Sequence, residues 1–245
     1  MTATVPVVET EPFYPSADGE PVAETYDHLY ALLTTLEVLK QYLAGCQATV
    51  LGNQFLYYAQ GFPKLRVAPD VMVIFDVAPG GRDNYKTWQE GQVPSVIFEM
   101  TSGGTKEQDQ VFKKTLYEQL GVKEYWLFDP KGEWVKEQLR GYRLRGDAYE
   151  PIQDNRSEPL QLRLQVEGRL ISFTREDTGE KLLIPDELAQ TLRQEVLARQ
   201  QAEKQAQQER QRAEQERQRA EQAESQVEQL KAKLRSLGVD PDAIE

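Results

Sequence analysis

Two short apolar runs in the first half of the chain predict buried β-strands. The first is LRVAPDVMVIFDV, residues 65–77, and the second is VPSVIFEMTSGG, residues 93–104. Both are rich in the β-branched and aromatic residues that strands favour. Each also carries an acid, Asp70 at the start of one strand and Glu99 near the end of the other. Carboxylates are rarely buried without a partner, so these positions indicate a functional site.

Helical spacing of apolar residues predicts two helices near these strands. Residues 23–45 end at a glycine and carry leucines along one helix face: Leu29, Leu32, Leu33, Leu36, Leu39 and Leu43. Residues 105–121 form the second predicted helix, which Thr105 caps and Gly121 stops. Between the first helix and the acid-bearing strands, residues 47–60 predict one further strand.

The middle of the chain predicts more strands. Residues 123–130, KEYWLFDP, form a short strand, on which we expect Trp126 to pack in the core or at an edge rather than stack on a base. Residues 133–153 predict a hairpin that turns at Arg145, Gly146 and Asp147, and residues 160–173 predict another sheet edge. Helix, strands, helix and strand in this order predict a mixed α/β core.

The last part of the chain predicts a long helix with heptad repeats. From about residue 188 to 237 it lacks Pro and Gly and is dominated by Gln, Glu, Arg and Ala. One row of the register is Ala206, Ala213, Ala220, Val227 and Leu234, and the other is Ala202, Glu209, Glu216, Ala223, Leu230 and Leu237. Glutamates in the seam leave two alternatives open, a solvated single helix and a coiled-coil homodimer or partner contact. We therefore divide the chain into an irregular lead-in (1–21), an α/β domain (22–183), a helical coiled coil (184–238) and a tail (239–245).

Composition excludes several chemistries. Cys46 is the only cysteine and His28 the only histidine, so an internal disulfide and a thiolate zinc site are excluded. The chain has no G-x-S-x-G elbow, no Walker loop and no G-x-G-x-x-G. A net charge of −11 argues against a protein that coats nucleic acid non-specifically. No apolar run is long enough to span a membrane and the N-terminus does not resemble a signal peptide, so we expect a cytoplasmic location.

Two carboxylates on neighbouring strands repel each other unless water, a proton or a cation lies between them. The simplest explanation is a divalent metal. Mg²⁺ prefers oxygen ligands and commonly uses one or two carboxylates together with substrate phosphate. Asp70 and Glu99 would provide these carboxylates, with the carbonyl of Met100 as a further ligand.

Three polar residues lie on one face of the second predicted helix. Asp109, Lys113 and Tyr117 follow one another at intervals of four residues. The simplest interpretation is a surface ion pair, worth about 0.3–0.5 kcal/mol. Beside a metal site, however, Lys113 could orient or deprotonate an attacking water and stabilise charge on a phosphorane-like transition state.

Residues 65–130 resemble the bacterial Uma-type putative restriction endonuclease family, within the PD-(D/E)xK nuclease superfamily. The matching features are Pro69-Asp70, Glu99 followed by Ser102, the Asp109, Lys113 and Tyr117 spacing, Gly121-Val122, Glu124-Tyr125-Trp126 and Asp129-Pro130. The resemblance implies a restriction-endonuclease-like mixed sheet flanked by helices. It also implies Mg²⁺-dependent hydrolysis of DNA, with Mn²⁺ as an alternative metal.

The resemblance also assigns the site residues. It implies Asp70 and Glu99 as metal ligands, and an additional acid from the first helix, for which Glu24 and Glu20 are both candidates. The superfamily places a lysine two residues after the second acid, where this chain has Thr101. Lys113 on the following helix is the replacement that the resemblance implies, and the adjacent Lys114 would point about 100° away.

Two other functions stay open at this point. The chain could be an inactive interaction protein that retains the nuclease fold and recruits a partner through its coiled coil, which would fit the net charge and the missing lysine. It could also be a nuclease that acts on RNA. Metal binding at Asp70 and Glu99 separates the first of these from an enzyme, because a scaffold has no need of a metal.

Overall fold

A computed structural model describes residues 12–19 and 24–238 of the chain. Its strands are β1 (Ala48–Gly52), β2 (Leu56–Tyr57), β3 (Arg66–Val67), β4 (Val71–Phe75), β5 (Tyr85–Lys86), β6 (Val96–Met100), β7 (Glu124–Phe128), β8 (Leu139–Arg145), β9 (Ala148–Ile152), β10 (Arg156–Ser157), β11 (Leu162–Glu167) and β12 (Leu170–Arg175). Its helices are α1 (Tyr26–Tyr42), α2 (Thr87–Glu90), α3 (Lys114–Leu120) and α4 (Pro185–Ser236), and a π-helical segment, Gln108–Lys113, leads into α3. Glu20, most of the predicted lead-in and the predicted tail lie outside the described residues.

A six-stranded mixed sheet forms the centre of the fold, in the order β1-β4-β6-β7-β8-β9. Only β6 and β7 are parallel, and every other pair in this sheet is antiparallel. Two three-stranded sheets, β3-β2-β5 and β10-β11-β12, accompany it. With the N-terminal helix and the long C-terminal helix, this confirms the predicted mixed α/β fold.

The side chains of the central strands alternate between two cores. On β4, Val71 and Val73 belong to the core that includes α1 and the β10-β11-β12 sheet, while Met72 and Ile74 belong to the core beneath α3. All four are fully buried. Burial on both faces explains why these strands read as continuous apolar runs rather than as alternating patterns.

Helix α1 buries a face that includes Leu32, Leu39 and Leu43 of the predicted row but is rotated away from the rest of it. Leu29 and Leu33 are 45% and 47% exposed. The buried side instead runs through His28, Ala31, Leu32, Thr34, Thr35, Val38 and Leu39. Leucines on both sides of the helix made either orientation compatible with the pattern, and packing against the sheet selects the side that includes His28.

Two predicted strands also differ from the structure. The single strand predicted over 47–60 is two strands in different sheets, because Asn53 adopts a left-handed φ of 52° directly after β1. Residues 160–173 do not extend the central sheet but contribute β11 and part of β12 to the β10-β11-β12 sheet. The predicted hairpin is confirmed, since Arg145 pairs with Ala148 across a two-residue turn.

The predicted helix over 105–121 contains a π-helical segment in its first half. Thr105 does not cap it, because its hydroxyl accepts the backbone N–H of Ser102 instead. Gly121 ends α3 as predicted, with a left-handed φ of 81°. A π-helical turn inside a helix is uncommon and frequently lies at a functional site.

The chain divides into two compact units, residues 1–185 and 186–245. Helix α4 provides nearly all of the described part of the second unit, and none of its residues is buried. Its dimerisation therefore stays a prediction. Among the described residues, no helix is long and apolar enough to cross a membrane.

Candidate active site

The register of β4 and β6 brings the two strand acids together. Pairing runs from Val73 opposite Val96 to Val71 opposite Phe98. The next pair in this register is Asp70 and Glu99, just beyond the hydrogen-bonded ladder. Both side chains leave the sheet on the same face as Met72, because side chains alternate along a strand.

The side chain of Asp70 accepts a backbone hydrogen bond just beyond the end of the β4–β6 ladder. Its Oδ2 accepts the backbone N–H of Met100 at 2.6 Å. This bond fixes the carboxylate against the end of β6, which is one reason an acid fits at the end of an otherwise apolar strand. The described contact of Met100 is thus through its N–H, and the role of its carbonyl as a metal ligand stays a prediction.

Glu99 is completely buried, with a donor on each carboxylate oxygen. Lys113 Nζ donates to Oε2 at 2.8 Å and Tyr117 Oη donates to Oε1 at 2.7 Å. Burial raises the pKa of Glu99 to about 8, although the charge of Lys113 opposes that shift. The helix residues chosen from their spacing therefore do reach the second strand acid.

Lys113 joins two carboxylates rather than one. Its Nζ also lies 3.0 Å from Asp109 Oδ1, and Asp109 Oδ2 accepts the hydroxyl of Thr101 at 3.0 Å. Burial opposes a charged ammonium, but Glu99 and Asp109 outweigh it and raise the pKa of Lys113 above its ordinary value. Lys113 is therefore a fixed cation. Thr101, which stands where the superfamily has its lysine, holds Asp109 through a hydrogen bond.

Tyr117 serves as a hydrogen-bond donor at this site. Burial, and then the neighbouring charge of Glu99, raise the pKa of its phenol well above the ordinary value. Tyr125 lies next to it with its ring in edge contact, and Tyr125 Oη donates to the carbonyl of Asp109. Both phenols remain protonated at neutral pH. Tyr117 ties α3 to β6, and Tyr125 ties the π-helical segment to β7.

The start of α1 brings His28 beside Asp70. His28 Nε2 lies 3.6 Å from Asp70 Oδ1 and 3.5 Å from Glu24 Oε2. Burial would lower the pKa of His28, but these carboxylates outweigh it and raise the pKa. The sequence named Glu24 as a candidate ligand and predicted His28 near it on the first helix, with a site role for His28 as the less favoured interpretation. Its position four residues after Glu24 was the available signal.

The donor set fits a divalent cation, although no centre is already assembled. Within residues 12–19 and 24–238, no group of three or more His, Cys, Asp or Glu side chains is arranged to hold a metal ion. Asp70 Oδ1 has no donor nearer than the His28 ring, and each Glu99 oxygen keeps a second lone pair beyond its one hydrogen bond. These carboxylate oxygens suit Mg²⁺ or Mn²⁺.

Other residues that carry the family resemblance hold the surrounding loop and strands in place. Asp129 accepts four backbone N–H groups in the loop after β7, from Lys131, Gly132, Trp134 and Val135. Glu124 is buried against Arg143 and the indole of Trp126. Lys114 lies with its Nζ 4.3 Å from the centre of the Tyr142 ring and makes no described contact with Glu99.

Two comparisons with known proteins found a match. The family model described as Uma2, putative restriction endonuclease, matches residues 5–169. A crystal structure of a putative nuclease belonging to DUF820 from Anabaena variabilis ATCC 29413 is similar over 58% of this chain and 77% of its own, with 13% identity and a TM-score of 0.41. No curated protein matches the chain. Because the family model covers more than half of the sequence, this chain belongs to the Uma2 family of putative restriction endonucleases.

Proposed function

We propose that this protein is a Mg²⁺-dependent endonuclease, able to use Mn²⁺, that hydrolyses phosphodiester bonds of DNA. The observation that supports it most is the buried ammonium of Lys113, which lies between Glu99 and Asp109. A buried cation on two acids, with Asp70 as a third acid beside them, is costly to maintain for stability alone. Such an arrangement is typical of a site that handles phosphate and water.

In this proposal, Asp70 and Glu99 hold the metal, with Glu24 and the Met100 carbonyl completing its protein ligands. The metal would act as a Lewis acid on the phosphate and lower the pKa of bound water. Lys113 orients the attacking water and stabilises charge that develops on the phosphate. Its raised pKa makes it a poor proton acceptor, so we assign it positioning and electrostatic roles rather than that of a base.

Asp109 and Tyr117 support these groups from the helix. Asp109 is the second carboxylate in contact with the ammonium, and Tyr117 fixes the other oxygen of Glu99. Thr101 in turn fixes Asp109. We infer that Lys113 on the helix replaces the catalytic lysine that the superfamily places at position 101. Glu99 and Asp109 hold its charge.

Calorimetry with Mg²⁺ and Mn²⁺, combined with nicking of supercoiled plasmid, tests the proposal. We expect wild type to bind metal and nick DNA, and Asp70→Asn to lose both while it remains folded, because an amide still accepts the Met100 N–H. Asp76→Asn is the control, since this exposed acid lies just past the other end of β4. Parallel assays on single-stranded RNA determine which nucleic acid is cut. A folded wild type that binds no metal at millimolar concentration would remove the catalytic claim.

Helix α4 favours a second role, in which the protein recruits a partner. Six large apolar side chains along or just after α4 are exposed: Leu192, Val196, Leu197, Val227, Leu230 and Leu237. We propose that the Leu230–Leu237 end pairs with a second copy, which would give a dimer with two sites for two strands. Sedimentation of wild type and of a Leu230→Lys variant tests this pairing. If metal binding is absent but the dimer forms, the interaction protein becomes the better account.

A further inference from the structure

His28 is a buried imidazole without a hydrogen-bond partner. The residue is only 3% exposed, and neither ring nitrogen makes a hydrogen bond, although Nε2 lies within ion-pair distance of Glu24 and Asp70. Buried polar atoms in folded proteins nearly always have one, since an unpaired group costs about 1–3 kcal/mol. A histidine buried merely for packing would be expected to donate to a nearby carbonyl or carboxylate, so its unpaired nitrogens require an explanation.

Hydrogen bonds fix the backbone at His28 and the neighbouring carboxylate of Asp70. Thr25, the N-cap of α1, accepts the backbone N–H of His28. Asp70 on the other side is fixed by the N–H of Met100. Glu24 lies one helical turn before His28 and its side chain is 30% exposed. The backbone at His28 and the carboxylate of Asp70 are therefore fixed by separate hydrogen bonds, while Glu24 has room to move.

His28 Nε2 lies near two carboxylates that could share a cation with it. His28 Nε2 lies 3.5 Å from Glu24 Oε2 and 3.6 Å from Asp70 Oδ1, too far for a hydrogen bond. Two donors at right angles on one ion with bonds of about 2.1 Å lie about 3 Å apart. Each of these two carboxylate oxygens therefore needs to approach Nε2 by only about half an ångström. Among the described residues the three groups do not form a metal-binding cluster as they stand, and the Glu24 side chain, which is 30% exposed, has room to complete one.

We propose that His28 Nε2 is a metal ligand alongside Asp70 and Glu24, and that it makes the site prefer Mn²⁺ to Mg²⁺. This inference rests on the proposed metal site and adds a nitrogen ligand to it. Mg²⁺ takes oxygen ligands almost exclusively, whereas first-row transition metals also accept imidazole. Oxygen ligands alone distinguish Mn²⁺ from Mg²⁺ only weakly. One buried imidazole ligand would strengthen the preference for Mn²⁺.

Pulsed EPR on the Mn²⁺ complex of the full, untagged chain tests the inference directly. Because His28 is the only histidine, any imidazole nitrogen coupled to bound Mn²⁺ must belong to it. We expect this coupling in wild type and its absence in His28→Gln. Calorimetry on the same samples should give Mn²⁺ binding about tenfold or more weaker in His28→Gln, with a much smaller change for Mg²⁺.

Each result has a distinct meaning. Mn²⁺ that binds in an Asp70-dependent way without imidazole coupling would overturn the His28 ligand and leave the proposed nuclease site intact. A folded wild type that binds no Mn²⁺ would overturn both, and His28 would then be a charged partner of two acids. Equal loss of Mn²⁺ and Mg²⁺ affinity in His28→Gln would overturn the selectivity, even with nitrogen coupling present. Thermal unfolding followed by circular dichroism establishes that the variant is folded.

Discussion

Glu99 and Asp70 lie at adjacent positions of neighbouring strands, yet their surroundings differ. Both oxygens of Glu99 accept hydrogen bonds at 2.8 Å or less, from side chains on the following helix. Asp70 has one oxygen bonded to a backbone N–H and the other 3.6 Å from His28. Its side chain is 14% exposed, against 1% for Glu99. One acid is therefore enclosed by the protein, and the other faces a partly open position.

This difference separates two tasks within the proposed site. A buried polar network in which every member is paired is rigid, whereas an incompletely paired one is costly. The Glu99 side, with Lys113, Asp109 and Tyr117, keeps its geometry without any added ligand. The Asp70 side, with His28 and Glu24, gains most from a cation. We infer that the helix side fixes the geometry of Glu99, and that the α1 side, together with Glu99, accepts the metal.

The strongest challenge to the enclosed side is Lys113→Met. Methionine keeps the apolar length of the side chain and leaves Glu99 and Asp109 buried without a cation. Removing one partner of a buried ion pair costs about 3–5 kcal/mol, so we expect that loss in urea unfolding together with loss of nicking.

Lys114→Met is the matched control for this variant. The adjacent lysine contacts the Tyr142 ring rather than an acid, and losing a cation–π contact costs about 0.5–1 kcal/mol. Equal destabilisation by the two variants would contradict the view that Lys113 is the fixed cation of the site.

The pKa of Glu99 makes the stability of the enclosed side depend on pH. The folded state holds this proton to a pKa of about 8, above the ordinary value of 4.5, mainly because of burial. The resulting stabilisation is complete at low pH and is lost as pH rises from about 4.5 to about 8. Relative to Glu99→Gln, wild type should therefore lose roughly 3 kcal/mol of unfolding free energy between pH 5 and pH 8.

Urea titrations at several pH values measure this difference. Glu107→Gln is the control, because this exposed acid lies just before the π-helical segment on the same helix. Wild type and Glu99→Gln curves that stay parallel would mean that Lys113 keeps Glu99 ionised throughout, and the site would then carry a permanent charge pair.

Tyr117→Phe tests the second donor to Glu99. The variant removes one hydrogen bond to a charged or partly charged group in the core, which costs about 2 kcal/mol. Tyr149→Phe removes a hydrogen bond to the neutral carbonyl of Val122 and should cost about half as much. Because Lys113 still holds the other oxygen, we expect Tyr117→Phe to lose stability while it retains measurable metal binding. Loss of all metal binding would instead place Tyr117 within the metal-binding side.

The sequence predicted which residues come together on the enclosed side. Apolar runs located β4 and β6, and the positions of Asp70 and Glu99 within them made their adjacency a consequence of antiparallel pairing. The four-residue spacing from Asp109 to Tyr117 placed these side chains on one face, which also holds in the π-helical segment. That spacing did not reveal the π-helical backbone, because residues four apart are neighbours in both α-helical and π-helical turns.

The open side was harder to predict. His28 lies among leucines on both sides of α1, and hydrophobic periodicity does not say which side a sheet will cover. The exposed Leu29 and Leu33 show that packing, rather than the number of leucines, decided it. The break at Asn53 was similarly hidden, since one left-handed residue redirects the chain without changing the apolar pattern. Tertiary contacts determined each of these features.

The smallest expected effect comes from Thr101→Val, which tests how the enclosed side is held where the superfamily places its lysine. Valine keeps the shape of threonine but removes the hydroxyl that donates to Asp109 Oδ2. We expect a loss of about 1 kcal/mol and a modest fall in nicking, because Lys113 still pairs with Asp109 but less rigidly. The control is Thr115→Val, an exposed threonine at the start of α3. If Thr101→Val matches wild type in both measurements, Lys113 alone positions Asp109, and the enclosed side depends on a single cation rather than on a network.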